Sequence, residues 1–343
     1  MFSSRWLMLV SVIQNQNPEL TPVSQPDTKH VRMSNLGNLT LHPDNSEVKL
    51  PGPIVVIGEV LWDVFPDSFQ LGGAPLNFAA HAKRLGHDAI LISGLGKDEL
   101  GGRAAKEIAD LGLPTNMLRQ SGLYGTGKAL VSVDESGQAD FEVVRPAAYD
   151  DIHLNPAELT ALTELRAAWL YYGTLFASRE NGMATLREIW NALPQASRFY
   201  DINLRAGFDS AEVVSGLLSA ADVVKLNESE AQTVSARFGL PRELSAFCRQ
   251  GAERFGWRSV AVTLGERGCV ILDRGEFAFA EGRPVEVADT VGAGDAFSAA
   301  FLHGIIEGWP VARIASFANR VGALVASRAG AIPEWDIAET AAL

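Results

Sequence analysis

The stretch ADTVGAGDAFSAAF, residues 288–301, places glycines and an aspartate directly before a run of alanine and phenylalanine. The apolar run predicts a buried helix that begins near Gly294, and the first backbone N–H groups of a helix have no partner within it. Glycine lets a ligand approach those groups closely, and the helix dipole adds partial positive charge there. The stretch therefore predicts an anion hole formed by the amides of Gly292, Ala293 and Gly294.

Asp295 follows these amides in the first turn of the predicted helix. A carboxylate is favourable beside the positive end of any helix, so this position alone does not identify a catalytic group. From these residues, a reactive carboxylate and an ordinary helix-start residue are equally good interpretations.

Composition limits the classes of partner. The chain has 343 residues with 47% hydrophobic and 20% charged residues, which is typical of a globular protein with one large or two modest domains. A formal net charge of −12 argues against nucleic acid or an anionic membrane as a partner. The two cysteines, Cys248 and Cys269, are far apart and predict neither a disulfide framework nor a zinc site. We expect a cytoplasmic protein.

Residues 1–52 have a different texture from the rest of the chain. RWLMLVSVI, residues 5–13, loosely resembles a signal peptide, but it is too short to span a bilayer and no A-x-A pattern follows. The polar segment behind it predicts a disordered extension, and Met33 is an alternative start. An export signal remains the alternative interpretation, and we assign 53–343 to the folded domain.

From residue 54 onward, apolar runs alternate with helical patterns. PIVVIGEV (53–60) and AILISGLG (89–96) are typical of buried parallel strands, whereas LNFAAHAKRLG (76–86) and LGGRAAKEIADLG (100–112) predict helices that end at glycine. This alternation predicts an α/β fold with a doubly wound, mostly parallel sheet and helices on both faces. Ligands bind such sheets outside the carboxyl ends of the strands.

A β-hairpin interrupts the alternation. GKALVSVDESGQADFEVV, residues 127–144, predicts two strands around a DESGQ turn. Together with residues near 63–71, the segment 126–147 is expected to form a small β lid over one end of the sheet.

Two glycine-rich stretches imitate nucleotide motifs. GLYGTGKA, residues 122–129, nearly fits a phosphate loop, but Ala129 replaces the hydroxyl that would bind magnesium, and a strand follows where a helix is required. SGLGKDELGG, residues 93–102, lacks the third glycine of a dinucleotide fingerprint because Glu99 stands there. We reject the phosphate loop and disfavour a nicotinamide dehydrogenase.

Two motifs together resemble the ribokinase-like sugar kinases of the phosphofructokinase B type. The family's C-terminal signature D-T-x-G-A-G-D is present as residues 289–295, and its N-terminal signature is present in GGAPLNFA, residues 72–79. The resemblance covers about residue 54 to the C-terminus. Each motif alone is weak, whereas the pair in this order is specific.

The resemblance implies a role for Asp295 and for the sugar-side residues. Asp295 would be the base that takes a proton from a sugar hydroxyl as the oxygen attacks the γ-phosphate of ATP. The N-terminal signature and the stretch before it would hold the sugar. The implied substrate-binding residues are Asp63, Gly72, Gly73, Asn77 and Arg205.

Arg205 belongs to DINLR, residues 201–205, which resembles the D-x-N-x-R pattern of fructokinases and 2-keto-3-deoxygluconate kinases. It would contact substrate or phosphate, and a structural salt bridge is the alternative. Gly173 stands where ribokinase has a glutamate that contacts ribose, which argues against ribose. Together with the stretches GGAPLN (72–77) and GEVLWDVFPD (58–67), this difference favours fructose.

The resemblance also implies a nucleotide site with its cations. Asn227 and Glu230 match the family's N-x-x-E motif near the phosphates and Mg²⁺, with a helix capping box as the alternative. Thr263, Gly265 and Gly268 would line the adenosine site, and Asn319 would lie near adenine. Many members bind a monovalent cation such as K⁺. The corresponding groups here are Asp289 and the carbonyls of Val291, Val325, Arg328 and Gly330.

We therefore predict an ATP-dependent sugar kinase, most simply a fructokinase. A 2-keto-3-deoxygluconate kinase is the alternative within the class, and a catalytically silent sugar or nucleotide sensor is the alternative outside it. The resemblance also implies a homodimer joined through the β lid.

Overall fold

A computed structural model describes residues 52–133 and 139–342. The predicted N-terminal extension, apart from its last residue, and the predicted DESGQ turn lie outside the described residues. No helix of the described chain has the length and apolar character needed to cross a membrane.

The described chain alternates strands and helices as the sequence predicts. The strands are β1 (Ile54–Ile57), β2 (Leu61–Val64), β3 (Phe69–Gly72), β4 (Ala89–Gly96), β5 (Leu118–Ser121), β6 (Gly127–Val133), β7 (Ala139–Val144), β8 (Trp169–Gly173), β9 (Ser197–Asp201), β10 (Val223–Asn227), β11 (Ser259–Thr263), β12 (Gly268–Asp273) and β13 (Glu276–Glu281). The helices are α1 (Ala74–Arg84), α2 (Glu99–Asp110), α3 (Pro156–Glu164), α4 (Thr174–Ala177), α5 (Glu180–Ala192), α6 (Ala211–Ala220), α7 (Glu228–Phe238), α8 (Leu244–Phe255), α9 (Ala293–Ile306) and α10 (Val311–Ala326).

The main sheet confirms the predicted doubly wound architecture. Its nine strands lie in the order β13-β12-β11-β10-β9-β8-β1-β4-β5, and those from β11 to β5 are parallel. The chain leaves β1 toward β4 on one side and later continues from β8 on the other. This reversal creates a crevice at the carboxyl end of β1, where such folds bind their ligands.

Two hydrophobic layers enclose the sheet. In β1, Ile54 and Val56 pack in one layer, and Val55 and Ile57 pack in the other, because successive side chains of a strand point to opposite faces. Helices α1, α2, α9 and α10 cover the first face, and α3, α5, α6, α7 and α8 cover the second. Burying each such aliphatic side chain contributes about 1.5–3 kcal/mol, which explains why β1 is apolar throughout.

The β lid is a separate four-stranded sheet in the order β3-β2-β6-β7. Strands β2 and β6 are parallel, and the two outer pairs are antiparallel. The rejected phosphate-loop sequence runs directly into β6, as predicted. Asp63 lies within β2, whose residues Leu61–Val64 pair with both β3 and β6.

Two helix starts differ from the sequence prediction. Helix α1 begins at Ala74, before the predicted Leu76, and Pro75 lies in its first turn, where its missing N–H is not needed. Helix α9 begins at Ala293, one residue before the predicted Gly294, because Gly292 takes a left-handed conformation with φ 78° and acts as its N-cap.

A glycine on β4 should prove essential for packing. A Cβ at Gly94 would lie 2.1 Å from the carbonyl oxygen of Ala148, whereas a Cβ at Gly102 in α2 would meet no atom within 4 Å. We expect Gly94→Ala to lower the free energy of unfolding by about 1–3 kcal/mol, as overpacking does. Gly102→Ala should leave it unchanged or raise it by up to about 1 kcal/mol. Urea titration checks both variants, and equal stabilities would contradict this packing.

Candidate active site

The chemically interesting side chains gather along the carboxyl edge of the main sheet. Glu59 follows β1, and Asp201, Asn227 and Thr263 end β9, β10 and β11. Parallel strands bring these ends to one edge, and α9 begins there as well.

The start of α9 leaves unpaired two of the three amides that were predicted to form an anion hole. Among the described residues, the N–H groups of Gly292 and Gly294 have no backbone or side-chain acceptor. Ala293 differs from the prediction, since its N–H donates to the carbonyl of Thr290 at 3.3 Å and closes the turn. Two of the three predicted amides are thus available to an anion.

Asp295 lies in the first turn of α9 and is buried, with 8% of its surface exposed. The Asn77 side-chain amide donates to its Oδ2 at 2.8 Å. Burial raises the pKa of Asp295 to about 7, and the charge of Asp201 adds to the rise, while Lys225, the Asn77 hydrogen bond and Arg205 lower it. A carboxyl group with this pKa can hold and release a proton near neutral pH.

Beside Asp295 lies a buried ion pair that the sequence analysis missed. Lys225 Nζ is 3.2 Å from Asp201 Oδ1, and neither side chain has more than 8% of its surface exposed. Asp201 Oδ2 also accepts hydrogen bonds from Ser298 at 2.7 Å and Tyr171 at 3.2 Å. A lysine within the apolar strand sequence VVKL was the available signal, since buried charges require partners.

Four of the residues predicted to bind the sugar lie on the lid and at the start of α1. Asp63 projects from the lid, and a Cβ at Gly72 would lie 2.9 Å from its Oδ2, so the absence of a side chain at Gly72 leaves room for this carboxylate. Gly73 is the N-cap of α1, with φ 112°. Burial raises the pKa of Asp63 to about 6 despite the opposing charge of Arg205.

Glu59 is a second carboxylate on this side that the sequence analysis did not single out. It is buried, and its Oε2 has no hydrogen-bond partner among the described residues. Burial raises its pKa to about 7, against its own backbone hydrogen bond and the charges of Arg205 and Arg145.

The loop after β9 carries Arg205 toward these carboxylates. Asn203 is left-handed with φ 45°, and the Leu204 N–H donates to Glu230 Oε1 at 2.9 Å. Arg205 is exposed and forms no ion pair within the part of the chain that the structure describes. The structural salt bridge considered as its alternative role is therefore not formed, and its charge acts on Asp63, Glu59 and Asp295.

A cavity of about 740 Å³ opens directly beside the anion hole. Most of the residues predicted to bind the nucleotide line it, together with two residues of the anion hole. The lining includes Thr263, Gly265, Gly268, Ala293, Gly294 and Asn319. The Asn319 side-chain amide donates to the carbonyl of Glu281 at 2.6 Å, which fixes its orientation at the wall.

Asn227 and Glu230 lie outside the lining of that cavity and form a capping box at the start of α7. Asn227 Oδ1 accepts from the Glu230 N–H at 2.9 Å, and Glu230 Oε2 accepts from the Asn227 N–H at 2.7 Å. The helix capping box, which is the structural alternative to a role near the nucleotide, is thus present. Because Glu230 also holds the Leu204 N–H, it joins the α7 turn to the loop that carries Arg205.

Asp289 joins the two loops that were predicted to bind a monovalent cation. Its Oδ1 accepts from the Val291 N–H at 2.9 Å and its Oδ2 from the Gly330 N–H at 3.1 Å. The carbonyl of Val325 accepts from the Arg328 N–H at 3.0 Å. In the described residues, no three His, Cys, Asp or Glu side chains converge as a metal site.

Family comparison identifies the class of protein. The model of the pfkB family of carbohydrate kinases matches residues 55–338, so the chain belongs to that family. It is 31% identical over 300 residues to a fructokinase of Klebsiella pneumoniae, covering 82% of this chain and 95% of that protein. A fructokinase of Escherichia coli is 29% identical over 296 residues, with coverages of 81% and 94%. The chain is a carbohydrate kinase, not the dehydrogenase considered as an alternative.

Solved structures share the fold. A fructokinase of Xylella fastidiosa with bound ATP has a TM-score of 0.72 at 24% identity, covering 84% of this chain and 97% of that one. A 2-dehydro-3-deoxygluconokinase of Thermotoga maritima has a TM-score of 0.75 at 20% identity, with coverages of 85% and 98%. These neighbours confirm the ribokinase-like fold.

The left-handed N-cap generates a prediction for the anion hole. A Cβ at Gly292 would lie 2.2 Å from the carbonyl oxygen of Ala331, whereas Gly308 has a similar positive φ of 64° and open space around it. We expect Gly292→Ala to displace the amides and lower kinase activity by about 10²-fold or more. Gly308→Ala should cost about 1–2 kcal/mol of stability for its backbone conformation alone and keep its activity.

Steady-state kinetics and urea unfolding of both variants check this prediction. Full activity in Gly292→Ala would show that the start of α9 does not hold the transferred group.

Proposed function

We propose that this carbohydrate kinase transfers the γ-phosphate of ATP to a hydroxyl of fructose. The observation that carries the proposal is the placement of a buried carboxylate, Asp295, between two unpaired amides and the sugar-side motif that supplies Asn77. The large cavity beside the amides has room for a nucleotide. The fructokinase relatives that match most of the chain favour fructose as the sugar.

Asp295 would act as the general base. It would accept the proton of the sugar hydroxyl while the hydroxyl oxygen attacks the γ-phosphorus and ADP leaves with the electrons of the broken P–O bond. Positioned general bases contribute about 10²–10⁴-fold. Gly292 and Gly294 would donate to the oxygens of the migrating phosphoryl group, and each such donor is worth about 10²–10³-fold. Phosphoryl transfer needs little else from the protein besides positioning.

The cations of the proposal fit the donors available. Mg²⁺ binds largely through phosphate oxygens and water, so it needs no converging carboxylates; it would neutralise phosphate charge, with Asn227 and Glu230 on its side of the site. K⁺ suits oxygen ligands such as the Asp289 carboxylate and the carbonyls of the two loops that it joins. A double mutant of the Vibrio cholerae fructokinase, solved with fructose, ADP and potassium ion, shares this fold with a TM-score of 0.70 at 22% identity.

The charge of the sugar side favours a neutral sugar over a keto acid. Glu59, Asp63 and Asp295 are carboxyl groups, and Arg205 is the cation that acts on all three. Arg145, the other cation acting on Glu59, is itself bound to Asp150 and two further acceptors. A substrate carboxylate would therefore face more negative than positive charge.

The outer face of the lid supports a homodimer. Phe69, Leu130 and Val144 share that face of the four-stranded sheet and are all exposed. Exposed Lys128 and Glu142 lie on the same face, and large apolar side chains exposed among charged ones indicate a contact surface. The buried free thiols of Cys248 and Cys269 are consistent with a reducing, cytoplasmic location.

Substitution of the base tests the mechanism. Asp295→Asn should lower kcat by at least about 10²-fold because the amide cannot accept the proton, while ATP affinity stays within a few-fold. Asp88→Asn, which changes an exposed carboxylate outside the site, is the matched control and should behave as the parent protein. Activity of Asp295→Asn within a few-fold of the parent would refute the role of Asp295.

A substrate panel tests the sugar. With ATP as donor, we expect kcat/KM for fructose to exceed that for ribose and for 2-keto-3-deoxygluconate by at least about tenfold, because one pocket contact is commonly worth that much. A preference for the keto acid would establish the alternative kinase. Binding of ATP and sugar without turnover would instead establish the silent sensor.

A further inference from the structure

The buried ion pair between Asp201 and Lys225 is a feature that the fold does not require. Removing two charges from water is expensive, and apolar side chains of similar volume at such positions often give an equally stable or more stable protein. Asp201 ends β9, its cross-strand neighbour Lys225 lies in the middle of β10, and both are next to the first turns of α9. Its location indicates a role in the chemistry.

Asp201 is rigidly held. Its Oδ2 accepts from Tyr171 on β8 and from Ser298 on α9, and its Oδ1 binds Lys225. Ser298 Oγ also lies 3.0 Å from the carbonyl oxygen of Gly294, one turn earlier in α9. The carboxylate of Asp201 therefore fixes the ammonium of Lys225 relative to the start of this helix.

Lys225 approaches the anion hole itself. A Cβ placed on Gly294 would lie 3.1 Å from Lys225 Nζ, so the ammonium occupies the space beside that backbone and next to Asp295. Its side chain is 8% exposed, in contrast to the exposed Arg205. Lys225 is thus the buried positive charge of the site, and Arg205 is the exposed one.

Groups from every neighbouring element act on Asp295. Negative or polar groups are Asp201 on β9, Glu59 after β1 and Tyr171 on β8, while Asn77 on α1 donates a hydrogen bond. The positive groups are Lys225 on β10 and Arg205 on the loop after β9. Burial and Asp201 raise the pKa of Asp295, and Lys225 is the strongest influence that lowers it.

We propose that Lys225, held in place by Asp201, is a positioning residue that keeps Asp295 ionised beside the anion hole, ready to accept the proton of the sugar. The proposal rests on the proposed function of Asp295 as the base. Without Lys225, Asp295 would face burial and the charge of Asp201 with only the exposed Arg205 to oppose them, and it would stay protonated at neutral pH.

The acidic limb of the pH profile provides the test. For the parent protein, kcat/KM for the sugar should rise with pH and level off above about 7, because the deprotonated form of Asp295 is active. Lys225→Met should move this limb to higher pH by about 1–3 units, the usual effect of losing a neighbouring opposite charge. Lys225→Arg should restore at least half of the shift.

Two further variants separate this role from a loss of folding. Lys106→Met removes an exposed lysine of α2 and should leave the profile unchanged. The double variant Asp201→Asn/Lys225→Met leaves no unpaired buried charge, so it should fold better than Lys225→Met. The double variant also lacks the charge of Asp201, which raises the pKa of Asp295. Its acidic limb should therefore lie at lower pH than that of Lys225→Met.

The outcomes distinguish this proposal from the proposed function. An unshifted limb in Lys225→Met combined with a raised KM for ATP would overturn the inference and make Lys225 a nucleotide contact alone. Identical limbs in the single and double variants would also overturn it. Burial also raises the pKa of Glu59 to about 7, but the cations that oppose this rise are Arg205 and Arg145, so the direct effect of removing Lys225 falls on Asp295. An active Asp295→Asn enzyme would instead overturn the base assignment itself.

Discussion

The site depends on the hydrogen bond that the side-chain amide of Asn77 donates to Asp295 at 2.8 Å, across 218 residues of sequence. Asn77 belongs to α1 and the sugar-side motif, whereas Asp295 belongs to α9 and the anion hole. Both helices cover the same face of the sheet, and their packing brings the two motifs together. In the proposed mechanism neither motif forms a site alone, because one would supply sugar contacts and the other would supply the base and the amides.

An ionised carboxylate at Asp295 requires opposite charges and hydrogen bonds that compensate for its burial. Burial and the charge of Asp201 raise the pKa of Asp295 to about 7, and Lys225, Asn77 and Arg205 limit the rise. A base with a pKa near the working pH combines a populated ionised form with useful basicity. The buried side chains of Asp201, Lys225 and Asp295 therefore determine both the pKa of Asp295 and its surroundings. The neighbouring strands β9 and β10 hold Asp201 and Lys225 in place.

The sequence predicted the fold and the start of α9 well, since alternating apolar runs and glycine-terminated helices are local signals. It could not predict the Asp201–Lys225 pair, because the pairing depends on β9 and β10 being neighbours in the sheet. The orphaned Glu59 carboxylate was missed for a similar reason, since its burial follows from packing. The N-x-x-E pattern of Asn227 and Glu230 fits both a helix capping box and a nucleotide-binding motif. Only contacts with a ligand distinguish these two roles.

The central claim is that the amides at the start of α9 and the carboxylate of Asp295 together surround the migrating phosphoryl group. A crystal structure with ADP, fructose and a planar metal fluoride that mimics this group tests the claim most directly. We expect fluorines about 3 Å from the backbone nitrogens of Gly292 and Gly294, and a fructose hydroxyl oxygen about 3 Å from an Asp295 oxygen. A fluoride bound away from α9, with the sugar hydroxyl facing another base, would contradict the account.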